Sequence, residues 1–256
     1  MAMSWRKERE MQERTGPLRL GIMVPSVNVV LEEDMPKHLP PSIKPHYTRV
    51  KLSANTEAEI AGMVDYVPRA AADLGDARVD VIGFACTGGS VIGGPGYDEK
   101  IVTSIEQKTR IPATTTATAI VAALRSIGVT HMALGTPYEA WLNACEVKFF
   151  EGNGFKVTRE RGLCVPNPLD CQGVTGPEIV ELARSIDTPD TQAIVLSCAN
   201  FRAWDVVDLI EDELGKPVIT SNQAIVWHML RRLGTAETTL DRSILWRAPI
   251  APALVA

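Results

Sequence analysis

Two landmarks in this sequence recur at one spacing. Pro25 closes the apolar run Leu18-Arg-Leu-Gly-Ile-Met-Val24, and Pro137 follows His131-Met-Ala-Leu-Gly135, 112 positions later. Cys86 follows Val79-Asp-Val-Ile-Gly-Phe-Ala85 and Cys198 follows Ala193-Ile-Val-Leu-Ser197, again 112 positions apart. Downstream, Ile111-Pro-Ala-Thr-Thr-Thr-Ala-Thr-Ala-Ile-Val is echoed by Lys216-Pro-Val-Ile-Thr-Ser-Asn-Gln-Ala-Ile-Val, where the offset drops to about 105. Two independent landmarks with one offset imply duplication, so the chain is expected to fold as two similar halves.

Each landmark ends an apolar run at a turn, the pattern of a buried strand. Between the runs lie stretches with helical spacing: Ile60 to Leu74, Ala117 to Ile127, Glu139 to Asn153, Glu178 to Ile186 and Trp204 to Leu214. Apolar strands alternating with helices predict an α/β fold in which parallel sheets are covered on both faces. The expected architecture is two pseudo-symmetric lobes with the active site in the cleft between them. The first lobe is assigned to 18–117, completed by 220–256, the second to 118–219, and residues 1–17 form an N-terminal extension.

Composition narrows the partners. A chain of 256 residues that is 45% hydrophobic and 22% charged can bury a core, and its Gly and Pro follow no collagen-like period. The net charge is −5 with no Lys/Arg cluster, so no nucleic-acid partner is expected. No apolar run reaches the roughly 18 residues of a membrane span, and the charged segment Met1 to Arg14 lacks a signal-peptide core, so a cytoplasmic protein without a membrane partner is expected. The five cysteines at 86, 145, 164, 171 and 198 show no C-x-x-C spacing, and His38, His46, His131 and His228 form no ligand pair. Neither a metal nor a cofactor is expected.

Open α/β sheets bind ligands at the carboxyl ends of their strands, where helix N-termini offer free N–H groups. Asn28, Cys86, Tyr138 and Cys198 all fall at such ends. A thiol at a helix N-terminus is favoured as thiolate, which makes Cys86 and Cys198 the candidate catalytic residues. The run Gly88-Gly-Ser-Val-Ile-Gly-Gly-Pro-Gly96 carries no nucleotide fingerprint and is expected to form a flexible loop or lid. Arg202 is a candidate fork donor to a carboxylate, while Cys145, Cys164 and Cys171 are assigned structural roles.

These residues resemble the Asp/Glu racemase superfamily, and within it the branch of maleate cis-trans isomerases and arylmalonate decarboxylases. The likeness runs from about Leu18 to Gly234. Val24-Pro-Ser-Val-Asn28 with Glu32 is similar to the family's V-P-S-S-N-x-x-x-E, and Cys86, Tyr138 in Thr-Pro-Tyr, Asn167 in Val-Pro-Asn, and Cys198 match further positions. The resemblance implies Cys86 and Cys198 as the catalytic pair. It implies Asn28, Tyr138 and Asn167 as substrate-binding residues, with their neighbours Pro25, Ser26, Thr87, Gly88 and Ala199. The arylmalonate decarboxylases lack the first cysteine, so two thiols favour isomerase or racemase.

A cofactor-free isomerase acting on a small dicarboxylate, most simply maleate to fumarate, is the expected function, in a homodimer as family members commonly are. Thiolate addition, bond rotation and elimination would isomerise maleate, whereas proton removal and return by opposed thiols would racemise an α-carbon. Both mechanisms place two thiols on opposite sides of one carbon skeleton. Arylmalonate-type decarboxylation and a non-enzymatic carboxylate-binding protein are the remaining alternatives.

Overall fold

The computed structural model describes residues 16–234 and 242–247. In chain order the elements are β1 (Leu18–Pro25), α1 (Val30–His38), β2 (Ile43–Val50), α2 (Glu57–Gly62), α3 (Val67–Asp76), β3 (Val81–Phe84), α4 (Thr87–Val91), α5 (Tyr97–Thr109), β4 (Ala113–Thr115) and α6 (Thr116–Ser126). The second half repeats the scheme with β5 (His131–Thr136), α7 (Ala140–Gly152), β6 (Lys156–Gly162), α8 (Gly176–Ile186), β7 (Ala193–Leu196), α9 (Val207–Leu214), β8 (Val218–Thr220) and α10 (Ser221–Arg232), followed by α11 (Ile244–Arg247).

The strands form two parallel four-stranded sheets, ordered β2-β1-β3-β4 and β6-β5-β7-β8. The duplication is visible in the register itself. Leu20 pairs with Val81 and Met132 with Ala193, each residue shifted by 112 positions. At the last strand pair, Ile82 meets Ala113 and Ile194 meets Val218, so the offset there falls to 105. The two lobes of the α/β fold are therefore one topology written twice.

The central strands β1, β3, β5 and β7 are apolar because helices cover both faces, and β3 and β7 are buried at every position. The sequence reading finds these four and none of the outer strands: β4 and β8 are buried but only three residues long, and β2 and β6 escape for a different reason. As edge strands these stay largely half-buried or exposed, and their sequences Ile-Lys-Pro-His-Tyr-Thr-Arg-Val and Lys-Val-Thr-Arg-Glu-Arg-Gly show no apolar run. Pro45 sits in β2, where an edge tolerates a missing donor.

Helices α6 and α10 pack on each other, and each also touches the last strand of the other half. Gly83 in β3 permits this close approach. A Cβ there would fall 2.7 Å from Met229 Sδ and 3.1 Å from Ile225 Cδ1, both on α10. Helix α10 thus lies against the first sheet. The N-terminal extension up to residue 15 and the tail at 235–241 and 248–256 lie outside the described residues.

Two local expectations are corrected. The stretch Ile60 to Leu74 is divided: α2 passes into a 3-10 turn at Met63–Tyr66 before α3, which carries Pro68 in its first turn, where no donor is needed. Gly88 to Gly96 is no lid, because its first residues build α4, buried from Thr87 through Val91. Small residues let this helix start against the core rather than swing free.

Candidate active site

Strand ends from both lobes meet around one cavity of about 420 Å³, including its open mouth. Cys86, directly after β3, is the N-cap of α4, and its Sγ accepts the Gly89 N–H at 3.3 Å. Cys198, directly after β7, accepts the Asn200 N–H on Sγ at 3.3 Å. Both thiols are buried and line the cavity. The duplication thus supplies one sulfur from each half.

The surrounding polar groups are donors aimed inward. Asn28 Oδ1 accepts the Leu31 N–H at the start of α1, while its Nδ2 is buried and unpartnered among the described residues. Asn55 Nδ2, on the same cavity, is likewise buried and unpartnered. Buried amide donors cost free energy unless a ligand or water satisfies them, so these two amides suit acceptor oxygens of a ligand. Thr87, Gly88 and Tyr138 complete this face, with Leu52, Ile60 and Leu142 forming an apolar wall. No Lys, Arg or His is among the lining residues, and among the described residues no His/Cys/Asp/Glu cluster could hold a metal ion.

The comparisons with known proteins agree with this site. A family profile described as arylmalonate decarboxylase matches residues 20–245. The chain belongs to the arylmalonate decarboxylase family. Within that family it is 28% identical over 229 residues to a maleate isomerase from Geobacillus stearothermophilus, covering 84% of this chain and 91% of the relative. It is 28% identical over 180 residues to the arylmalonate decarboxylase of Bordetella bronchiseptica, covering 70% and 73%. Among solved structures, a Cys-to-Ser mutant of the Nocardia farcinica maleate cis-trans isomerase with a covalently bound succinylcysteine intermediate superposes with a TM-score of 0.87 at 27% identity, covering 91% of this chain and 99% of that one.

Electrostatics distinguishes the two cysteines of this family member. Burial pushes the Cys86 thiol up to about 12, with the nearby charges of Cys198 and Glu146 adding to the effect. Burial acts on Cys198 in the same direction, but hydrogen bonds from Cys171, Tyr138 and the Asn200 N–H outweigh it and hold its thiol below the ordinary value. Of the two thiols, Cys198 is therefore the one that gives up its proton more readily, and Cys86 the one that keeps it. Tyr138 stays protonated, raised first by burial and then by the charge of Cys198.

Of the expected site residues, Pro25, Asn28, Cys86, Thr87, Gly88, Tyr138, Cys198 and Ala199 all line the cavity. Ser26 does not. Its hydroxyl donates to the Leu52 carbonyl at 2.9 Å and accepts the Leu52 N–H at 3.1 Å, which fixes the chain that carries the apolar wall. Asn167 is also displaced: it is exposed, and its Oδ1 accepts the Leu169 N–H at 3.0 Å within its own turn. That turn reaches the cavity through Pro168 and Cys171 instead. Arg202 pairs with Glu33 at 2.6 Å, which occupies its fork.

Two residues escaped the sequence reading. Cys171, taken as structural, faces the cavity beside Cys198. Asn200 crosses between lobes, its Oδ1 accepting Val29 N–H at 3.1 Å and Val30 N–H at 3.4 Å and its Nδ2 donating to the Pro168 carbonyl at 2.9 Å. Its place two residues beyond the strand-end cysteine was the available signal.

Proposed function

We propose that this protein is a cofactor-independent maleate cis-trans isomerase, converting maleate to fumarate through its two cysteines. The observation that carries the reading is the pair itself: two buried thiols, one from each lobe, lining one cavity beside unpartnered amide donors. The covalent succinylcysteine of the similar Nocardia farcinica isomerase supports addition chemistry.

The protonation states assign the roles. A thiolate stabilised by several donors is a weakened nucleophile, since nucleophilicity falls as pKa falls, whereas a sulfur of high pKa is the stronger nucleophile once its proton leaves. Cys198 acts as base: as the Cys86 sulfur bonds to one alkene carbon of maleate, the Cys86 proton passes to Cys198. The electron pair of the double bond moves toward the carboxylate on the adjacent carbon. Asn28 and Asn55 are the donors available to that carboxylate, each worth about 3 kcal/mol in a water-poor site. Cys198 then delivers its proton to the adjacent carbon, giving an S-succinyl thioether. The former double bond is now single and rotates. Cys198 withdraws a proton, the C–S bond breaks, fumarate leaves and Cys86 is reprotonated from Cys198.

The apolar wall of Leu52, Ile60 and Leu142 favours a second reading, decarboxylation of an arylmalonate, because it would accept an aryl ring. Proton NMR in D2O with maleate, aspartate and phenylmalonate as separate substrates distinguishes the readings. Fumarate signals are expected from maleate alone; deuterium entry at Cα of aspartate or loss of CO2 from phenylmalonate would overturn the assignment. We also propose that the enzyme works in the cytoplasm and, as family members commonly do, forms a homodimer, which light scattering checks.

A further inference from the structure

Behind the cavity, and outside its lining, lies a carboxyl that the mechanism above does not use. Glu146, on α7, is fully buried, and its Oε1 accepts the Ser197 hydroxyl at 2.8 Å. Ser197 is the residue immediately before Cys198. The other oxygen, Oε2, is buried with no partner among the described residues. Among the described residues no cation offsets the group. The titratable groups that face it are Cys198 at the end of β7, Cys86 at the start of α4 and Tyr138 ahead of α7, with Cys145 beside it on its own helix. Glu160 on β6 is engaged one turn away by Asn143, whose Nδ2 donates to it at 2.6 Å.

We propose that Glu146 is a positioning residue that limits the site to one negative charge: it is uncharged while the cysteine pair works, and its ionisation closes the alkaline side of the activity. The proposal rests on the thiol chemistry assigned above. A buried carboxylate without a counterion is costly, so the neutral acid is the favoured form of Glu146 behind the Cys198 sulfur. Burial raises its carboxyl to about 8, against the Ser197 hydrogen bond, which works in the other direction. Once ionised, it places a second fixed negative charge behind a cavity that must admit a dianion, and it disfavours the Cys198 thiolate through the same low-dielectric space. The effect belongs in substrate capture, and so in kcat/KM.

The test has one arm that needs no substrate. In protein labelled with 13C at the glutamate carboxyl carbon, the resonance missing from Glu146→Gln is followed against pH; a midpoint near 8 is expected. Ser197→Ala, which removes the hydrogen bond that favours the carboxylate, should move that midpoint upward. A midpoint in the ordinary carboxylate range, or no response to Ser197→Ala, overturns the proposal whatever the substrate. The second arm compares kcat/KM at pH 9 with that at pH 7 within each protein. A fall of about tenfold is expected for the wild type and less than about twofold for Glu146→Gln. Equal falls in both would also overturn it. If maleate is not turned over at all, the function assigned above fails, while the carboxyl titration still decides this inference.

Discussion

Ser221 stands between Thr87 and Cys198 and ties the two lobes at the reacting centre. Its hydroxyl lies 2.8 Å from Thr87 Oγ1 and accepts the Cys198 N–H at 3.0 Å. Thr87 follows Cys86 directly, so one buried hydroxyl sets the register between the two sulfurs. It begins α10, the helix that lies against the sheet carrying Cys86.

Replacing Ser221 by Ala leaves the Cys198 N–H unsatisfied, which should destabilise the fold by about 1–3 kcal/mol. Loss of register between the thiols should lower kcat by about tenfold with little change in KM. Thermal melting and steady-state kinetics measure the two effects. An unchanged kcat would show that Ser221 does not register the pair.

Asn28→Asp tests the inward donor. The substituted side chain keeps an oxygen for the Leu31 N–H but turns the inward donor into an acceptor. KM for maleate should rise by at least about tenfold to a hundredfold, the loss of one hydrogen bond to a charged group, and Tm should fall, because the new carboxyl is buried without a cation among the lining residues. A KM equal to that of the wild type would remove Asn28 from the carboxylate site.

His228 predicts an acid-side stability loss unrelated to catalysis. It is buried on α10 with its Nδ1 2.7 Å from Thr114 Oγ1, and burial, aided by the Arg232 charge, lowers its pKa from 6.5 to about 4. The folded state resists the proton that the unfolded chain accepts. Its contribution is therefore fully present above pH 6.5 and declines toward pH 4, by about 3 kcal/mol in all. Urea unfolding at pH 7, 5.5 and 4 should show a shallower decline for His228→Gln than for the wild type; parallel declines would contradict the assignment.

Much of this site was legible because duplication leaves arithmetic behind. The 112-residue offset placed Cys86 and Cys198 at matching strand ends, and the register of β1 with β3 and β5 with β7 repeats it pair by pair. What escaped depends on distance in the chain. Asn200 acts on α1 from 170 positions away, and Cys171 reaches Cys198 from a loop whose spacing signals nothing. Ser26 and Asn167 stand beside lining residues in sequence, yet each turns its side chain to a backbone partner, Leu52 for the one and Leu169 for the other, a choice that sequence neighbours do not reveal.

The division of labour between the sulfurs is tested most directly by intact-mass spectrometry with peptide mapping after incubation with maleate. Cys198→Ser should slowly gain the mass of one maleic acid on the peptide bearing Cys86, because water can take the Cys86 proton and supply one to the adjacent carbon, while withdrawal of that proton for release is crippled. Cys86→Ser should gain none, and neither variant should form fumarate at an appreciable rate. An adduct on Cys198, or turnover by either variant without any adduct, would contradict the two-thiol mechanism.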